Sequence, residues 1–280
     1  MAADETPTPR RPVTEAPNPR TADLDQLPVG ELVQRILDED ARVSAAVRAA
    51  RPALELACLA LVEALDSGGR WFNVGAGTSG RLGALDAAEI PPTFGLDPQR
   101  VQAVIAGGPP ALIGPVEGAE DDLAAAPREL DKLGLGPSDA VVALSASGRT
   151  PFALAALEHA RRRGARAIAI TCAPESPLAK AAEIAIVAVV GPEVIAGSTR
   201  MKGGLAQKMI LHTLSTAVMV RLGRVHGNLM TGLVAVNSKL TERGVRILCE
   251  LAHVDRARAA RALDEAGGSV EKALAELMGE

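Results

Sequence analysis

Short apolar runs alternate with stretches of helical periodicity along the middle of the chain. The apolar runs span residues 71–74, 101–106, 140–145, 166–171 and 183–190, and the stretches compatible with helices span 79–88, 110–134, 151–163 and 176–182. The apolar runs are continuous, which is typical of parallel strands buried on both faces. The pattern therefore predicts an α/β fold in which a doubly wound, five-stranded parallel sheet is flanked by helices.

Helical patterns continue on both sides of this region. Apolar spacing of three and four predicts two helices between Pro28 and Leu65, broken at Pro52. Two long helices are predicted at 199–223 and 228–252, packed on the sheet, and the last 30 residues predict two short helices around a Gly-Gly pair.

Three units follow from these patterns. Residues 1–22 hold five prolines among polar side chains, so this segment is expected to be a tail that is flexible or docks on something. We expect the α/β domain with its N-terminal helices over 23–238 and a small helical subdomain over 239–280.

Charge and composition exclude several functions. Thirty basic and 34 acidic side chains give a net charge of −4, so no positive field favours nucleic acid as a partner. No apolar stretch approaches the roughly 18–20 residues of a membrane span, so no membrane partner is expected. Three widely spaced cysteines fit neither a disulfide framework nor paired zinc ligands, which favours a reducing, cytoplasmic location.

The aromatic content bears on the ligand. The chain has no Tyr, one Trp and three Phe, which leaves almost nothing to stack on a planar base. A ligand would therefore be held by backbone groups, hydroxyls and charges.

Two predicted strand-to-helix loops are rich in glycine and hydroxyl groups. The first, over 75–81, formally satisfies G-x-G-x-x-G and opens a helix whose N-terminus favours an anion. A dinucleotide site would also need an acidic residue at the end of the second strand, and that strand runs instead into Gly107 and Gly108. The Walker lysine motif is absent as well.

The second loop, over 145–151, carries Ser145, Ser147 and Thr150 ahead of Pro151. Hydroxyls and free amides at a helix start can bind a phosphate monoester without a metal ion. The alternative is that Ser147 only caps the following helix.

Two groups of carboxylates are candidates for acid–base chemistry. Glu89 lies among apolar residues at a helix end marked by two prolines, where desolvation would keep it protonated as a general acid requires. The acidic cluster over 117–122 contains Glu117 and Glu120, one turn apart if helical, and either could be a general base. The alternative for Glu89 is a solvated residue at a helix end. The alternative for the acidic cluster is the solvated start of a helix. The four histidines lack zinc-ligand spacing, so no metal site is expected.

Five blocks of the sequence occur in a characteristic order: VGAGTSGRLGALDAAEIPPTFG, IAGGPPALIGPVEGAEDD, LSASGRTPFALAAL, GPEVIAGSTRMKGGLAQKMILHTLSTAVMVRLG and NLMTGLVAVNSKL. Together they resemble the N-acetylmuramic acid 6-phosphate etherases of the sugar-isomerase (SIS) domain superfamily, and the resemblance runs from about Thr14 to the C-terminus. It implies cleavage of the D-lactyl ether of the sugar phosphate, without cofactor or metal, by a homodimer with active sites near the interface.

The resemblance also implies roles for residues. Glu89 of DAAE would be the acid and Glu120 of EGAED the base, with Glu117 as the alternative to Glu120. The implied phosphate ligands are Thr78, Ser79, Ser145, Ser147 and Thr150, with weaker substrate candidates at Ser198, Thr199 and Lys202.

Two other functions stay open. The glucokinase regulatory protein resembles this family and binds sugar phosphates without turnover, and a phosphosugar isomerase would share the phosphate site and a proton abstraction at carbon 2. The presence of both candidate carboxylates, Glu89 and Glu120, favours turnover over binding alone.

Overall fold

The computed structural model describes residues 13–279 and is built on one sheet of five parallel strands. The strands are β1 (Trp71–Gly75), β2 (Val101–Ile105), β3 (Ala140–Leu144), β4 (Arg166–Thr171) and β5 (Ile184–Val187). Their order in the sheet is β2-β1-β3-β4-β5. The predicted fold class is confirmed, and the fifth strand ends three residues earlier than predicted.

Helices cover both faces of the sheet. The helices are α1 (Val29–Asp40), α2 (Val43–Ala49), α3 (Arg51–Asp66), α4 (Gly77–Phe94), α5 (Ala125–Lys132), α6 (Pro151–Arg162), α7 (Pro177–Ala181), α8 (Lys202–Arg221), α9 (Ser238–Ala252), α10 (Arg256–Glu265) and α11 (Val270–Met278). One face of the sheet is covered by α2, α3, α4 and α8, and the other by α5, α6 and α7. Side chains alternate between these layers, since Trp71 lies in the first and Phe72 in the second.

Two helices contain prolines at positions where the sequence predicts a break or an end. The region from Pro28 to Leu65 forms three helices, not two, and Pro52 lies in the first turn of α3, where a missing N–H costs nothing. α4 continues through Pro91 and Pro92 to a left-handed Gly95. Burial of Ile90 and Phe94 against the core holds the helix together across the bonds that the prolines remove.

The predicted helix over 110–134 is wrong for most of its length. Only α5 is α-helical there, and short 3-10 turns form at Pro109–Leu112 and Ala119–Asp121. Gly118 has a φ of +69°, which breaks any helix between Glu117 and Glu120. The acidic cluster therefore lies on a loop.

The C-terminal helices form their own apolar cluster. The predicted helix over 228–252 begins only at Ser238, because the Asn237 side chain caps α9 by accepting from the Leu240 N–H. α9, α10 and α11 pack around a cluster that also includes Leu233, separate from the two layers on the sheet. α9 thus belongs to this cluster and does not pack on the sheet as predicted.

The described part of the predicted tail, residues 13–22, docks on the α/β domain. Thr21 Oγ1 donates to the Val194 carbonyl at 2.8 Å, and Asn18 Nδ2 donates to Glu39 Oε2 at 2.9 Å. Arg20 also pairs with Glu39. Polar contacts hold the segment, which explains why its low apolar content gave no signal of docking. Residues 1–12 of the predicted tail lie outside the described residues.

Glu39 completes a buried ion pair at the start of α8. Lys202 Nζ lies 2.6 Å from Glu39 Oε2, and the side chains are 0% and 2% exposed. The Arg20 side chain, and then Lys202 and Asn18, hold the pKa of Glu39 at about 2 although burial opposes this. The network links the N-terminal segment, α1 and α8.

We predict that Gly80→Ala lowers the free energy of unfolding by about 1–3 kcal/mol. A Cβ on Gly80 would lie 2.5 Å from the Gly75 carbonyl oxygen, so β1 and α4 would have to move apart. Urea denaturation measures the effect. The control is Gly30→Ala in α1, where nothing lies within 4 Å of the new Cβ and helix propensity predicts a small gain. Equal stability of the two variants would contradict the packing argument.

We predict that Glu39→Gln lowers the free energy of unfolding by about 3–5 kcal/mol near neutral pH, because it leaves the Lys202 ammonium buried without a counter-charge. The pKa of Glu39 is lower in the folded chain, so its contribution is present above pH 4.5 and is lost as the pH falls toward about 2. Urea denaturation should show the difference from the unmodified chain shrinking over that range. Glu55→Gln, at an exposed pair on α3, is the control. If Glu39→Gln lowered the free energy of unfolding no more than Glu55→Gln does, the argument would be refuted.

Candidate functional site

The two hydroxyl-bearing loops leave adjacent strands at the point where the strand order reverses. Gly75 at the end of β1 is paired with Leu144 at the end of β3. The helix after β1 lies on one face of the sheet and the helix after β3 on the other, so a crevice opens between them. Such a switch point is the usual ligand site of an open parallel sheet.

The loop over 75–81 presents backbone N–H groups to this crevice. The first backbone bond of α4 runs from the Gly80 N–H to the Ala76 carbonyl, so the N–H groups of Gly77, Thr78 and Ser79 have no partner within the helix. Gly77 has a φ of +51°, and Gly80 permits the close approach to β1. The arrangement favours an anion at the helix start.

Ser79 connects the first loop to α8. Its hydroxyl donates to Gln207 Oε1 at 3.0 Å, and both side chains are buried. Gln207 Nε2 has no hydrogen-bond partner among residues 13–279. Gln207 was not among the predicted site residues, although it lies five positions after Lys202 in a block that the sequence singled out.

The loop over 145–150 gathers three hydroxyls. Ser145 Oγ lies 2.8 Å from Thr150 Oγ1 and 3.3 Å from Ser147 Oγ, and it accepts from the Gly148 N–H. Ser147 accepts from the Arg149 N–H, which precedes α6. It does not cap α6, whose N-cap residue Thr150 makes no side-chain cap bond. The predicted hydroxyl cluster is therefore present.

The start of α8 lies between the two loops. A Cβ on Gly203 would be 3.0 Å from the Ala146 Cβ, and a Cβ on Gly204 would be 3.2 Å from Thr78 Cγ2. The buried Glu193 carboxylate accepts from the N–H groups of Lys202 and Gly203, both at 2.8 Å. Burial raises the pKa of Glu193, and these backbone bonds oppose the rise.

The weaker candidates divide into two groups. Ser198 and Thr199 are half-buried in the turn before α8, and the Thr199 carbonyl accepts from the Gly204 N–H. Lys202 is fully buried in its ion pair with Glu39, so its ammonium is not free for a substrate phosphate. The prediction for Lys202 is therefore corrected, because its partner lies 163 residues away in the sequence.

Glu120 lies on a turn that packs against α6, the helix that follows the second loop. It is exposed on the turn Ala119–Asp121, and Ala119 lines a cavity of about 730 Å³ together with Phe152 near the start of α6. Arg81 in the first turns of α4 donates to the Gly114 carbonyl at 2.9 Å and anchors the same loop. Glu117 is exposed on this loop as well.

Glu89 lies away from the hydroxyl loops of its own chain. It is exposed in α4, twelve residues after Gly77, which corresponds to about 18 Å along the helix axis. The expected desolvated helix end is wrong, because α4 continues past Glu89 and helical periodicity turns this side chain outward. Glu89 lines a cavity of about 300 Å³ between α4 and α8, which we call the α4–α8 cavity.

The described residues offer neither a clustered set of metal ligands nor a membrane-spanning helix. Within residues 13–279, no three His, Cys, Asp or Glu side chains are grouped so that they could hold a metal ion. Among the helices of the same residues, none has the length and apolar character required to cross a bilayer.

Solved structures with a similar fold include two phosphoheptose isomerases. The one from Francisella tularensis matches with a TM-score of 0.53 and 19% identity, over 69% of this chain and all of that one. The one from Neisseria gonorrhoeae matches with a TM-score of 0.51 and 18% identity, over 68% of this chain and 98% of that one. At such identity these likenesses establish the fold.

Sequence comparisons are more specific. Residues 54–161 match the family model of the glucokinase regulatory protein N-terminal SIS domain, and 128–217 match that of the SIS domain. The N-acetylmuramic acid 6-phosphate etherase of Symbiobacterium thermophilum is 50% identical over 96% of this chain and 89% of its own length. The etherase of Yersinia pestis (strain Pestoides F) is 48% identical over 95% of this chain and 90% of its own length. The chain therefore belongs to the N-acetylmuramic acid 6-phosphate etherase family.

Proposed function

We propose that the protein cleaves the D-lactyl ether of N-acetylmuramic acid 6-phosphate, giving N-acetylglucosamine 6-phosphate and D-lactate for the recycling of cell-wall sugars. The observation that carries this proposal is the hydroxyl cluster of Ser145, Ser147 and Thr150 beside two helix starts. It suits a phosphate monoester and occurs in a chain half identical to proteins named for this activity.

The phosphate would lie between the two loops. Thr78 and Ser79 would contribute N–H groups at the start of α4, while the hydroxyls of the second loop would donate to phosphate oxygens from the other side. The Ser79 hydroxyl already donates to Gln207, so its backbone is the better donor to phosphate. Ser198 and Thr199 would close the site from the turn before α8.

The reaction is an elimination followed by addition of water. Glu120 takes the proton from carbon 2 of the open-chain aldehyde, the bond between carbon 3 and the lactyl oxygen breaks, and Glu89 gives that oxygen a proton. Water then adds to carbon 3 of the unsaturated aldehyde, and a proton returns to carbon 2. The turn that carries Glu120 packs against α6, the helix that follows the second loop, which supports this role for Glu120.

A homodimer would complete the site. Along α4, Glu89 is about 18 Å from the helix start, farther than a hexose phosphate bound there extends toward its carbon 3. A second copy, related by two-fold symmetry, could bring its Glu89 to the sugar. Val29, Val33 and Leu37 form an exposed apolar row along one face of α1, and such rows favour burial against a partner.

A non-catalytic sugar-phosphate regulator is the second candidate, because residues 54–161 match the glucokinase regulatory protein model. A phosphosugar isomerase is the third, on the same phosphate site. These candidates differ from the etherase in product.

We predict that the purified protein releases D-lactate from N-acetylmuramic acid 6-phosphate, and that Glu89→Gln and Glu120→Gln each lower the rate by about 100-fold or more. The isosteric amide keeps the shape of each side chain but cannot transfer the proton. An enzymatic D-lactate assay measures the rate, with Glu117→Gln as the matched control. Binding without lactate favours the regulator, a ketose phosphate favours the isomerase, and a near-normal rate in a variant refutes its role.

We further predict that mixed dimers of Glu89→Gln and Glu120→Gln chains recover about half of the unmodified activity per dimer, because one of the two shared sites is then intact. The two variants are co-expressed with different tags, and dimers that carry both tags are purified and assayed. Activity no higher than in either single variant would mean that both carboxylates act within one chain.

A further inference from the structure

The α4–α8 cavity has both acidic and basic walls. α4 contributes Asp86 and Glu89, and α8 contributes Lys208 and His212. Thr93, Ser215 and Thr216 add hydroxyls. The cavity encloses about 300 Å³ and is separate from the hydroxyl loops that are proposed to hold phosphate. The cavity is therefore polar, and it lies beside Glu89, the proposed general acid.

Lys208 is the residue of this cavity whose positive charge can bind an anionic ligand. It is half-buried, and its ammonium lies more than 4.0 Å from every carboxylate of the described chain. His212 follows one helical turn later on the same side of α8. Lys208 also lines an adjoining cavity of about 400 Å³ that contains Thr78 of the first hydroxyl loop. A lysine left without an ion pair at such a position is suited to an anionic ligand.

Asp86 at the base of the cavity is incompletely satisfied. Its side chain is 4% exposed, Oδ1 accepts from Ser215 at 2.9 Å, and Oδ2 is buried with no hydrogen-bond partner within residues 13–279. Burial raises the pKa of Asp86, while the Ser215 bond, Lys208 and His212 oppose the rise. A buried acceptor oxygen without a partner calls for a hydrogen-bond donor in this cavity, which solvent or a hydroxyl-bearing ligand supplies.

The chemistry of the ether restricts what that ligand is. In the lactyl group, the carbon that carries the carboxylate is bonded directly to the ether oxygen. An acid that protonates this oxygen therefore has the carboxylate within a few ångströms. Because Lys208 and His212 share a cavity with Glu89, they are the basic side chains that such a carboxylate would meet.

We propose that the α4–α8 cavity is the lactyl subsite, in which Lys208, with His212 beside it, binds the carboxylate of the leaving group next to Glu89. This inference rests on the proposed ether cleavage. It assigns Lys208 to substrate specificity, because a sugar phosphate without a lactyl group has nothing to place in the cavity.

The test compares ligands with and without the lactyl carboxylate. Lys208→Met and Lys208→Gln remove the charge while keeping a long side chain suited to a helix. We expect kcat/KM for N-acetylmuramic acid 6-phosphate to fall roughly 10- to 100-fold, as for a lost charge-assisted hydrogen bond. The Kd for N-acetylglucosamine 6-phosphate, which lacks the lactyl group, should change less than about twofold. Lys239→Met, at an exposed lysine on α9, is the charge control and should change neither value.

A neutral substrate analogue makes the test specific to the carboxylate. Converting the lactyl carboxylate to its methylamide should weaken binding to the unmodified protein and have little further effect on Lys208→Met. Equal losses for both sugar phosphates, or an unchanged kcat/KM in both Lys208 variants, would overturn the lactyl subsite. Failure of the unmodified protein to release D-lactate would instead overturn the proposed function, so the two failures are distinguishable.

Discussion

A buried lysine at the first position of α8 determines how the candidate phosphate site is built. Moving an ammonium out of water costs several kcal/mol unless a counter-charge and hydrogen bonds replace the lost solvent. Glu39 supplies the counter-charge, and Arg20 and Asn18 bind the remaining carboxylate positions. With Lys202 fixed in this way, Gly203 and Gly204 are held against Ala146 and Thr78. The spacing of the two hydroxyl loops therefore depends on a segment more than 50 residues before the first of them.

Secondary structure sets the distances between the functional groups. Helix starts on neighbouring strands bring two sets of N–H groups together, so a phosphate could be bound there without the Lys202 ammonium, which is paired with Glu39. The rigid rise of α4 places Glu89 well beyond those helix starts. If phosphate is bound by these loops and Glu89 is the acid, phosphate binding would be a property of one chain, and acid catalysis would depend on a second copy.

The sequence predicted features that depend on neighbouring residues better than features that depend on distant ones. Buried parallel strands read as continuous apolar runs, and the hydroxyl loops follow two of those strands directly, so both were predicted. The Lys202 pairing was missed because Glu39 lies on another helix. Glu89 was misjudged because its sequence neighbours are apolar, while the helix turns it outward and turns Asp86, three residues earlier, inward. The loop at 110–124 was misread because Gly118 adopts a left-handed conformation that apolar spacing does not encode.

Phosphate recognition and ether cleavage need different properties from the fold. A phosphate can be gripped by loops at the end of any open parallel sheet, and isomerases with the same fold at 19% identity show how widely that scaffold occurs. Removing a lactyl group additionally requires a proton donor for the ether oxygen, and a cation would stabilise the carboxylate of the departing acid. In this chain Glu89 and Lys208 project from two packed helices on one side of the sheet, where their separation is fixed by helix packing rather than by a loop. The capacity for ether cleavage would then depend on the facing surfaces of α4 and α8. The crevice that the fold shares with isomerases would only bind the phosphate.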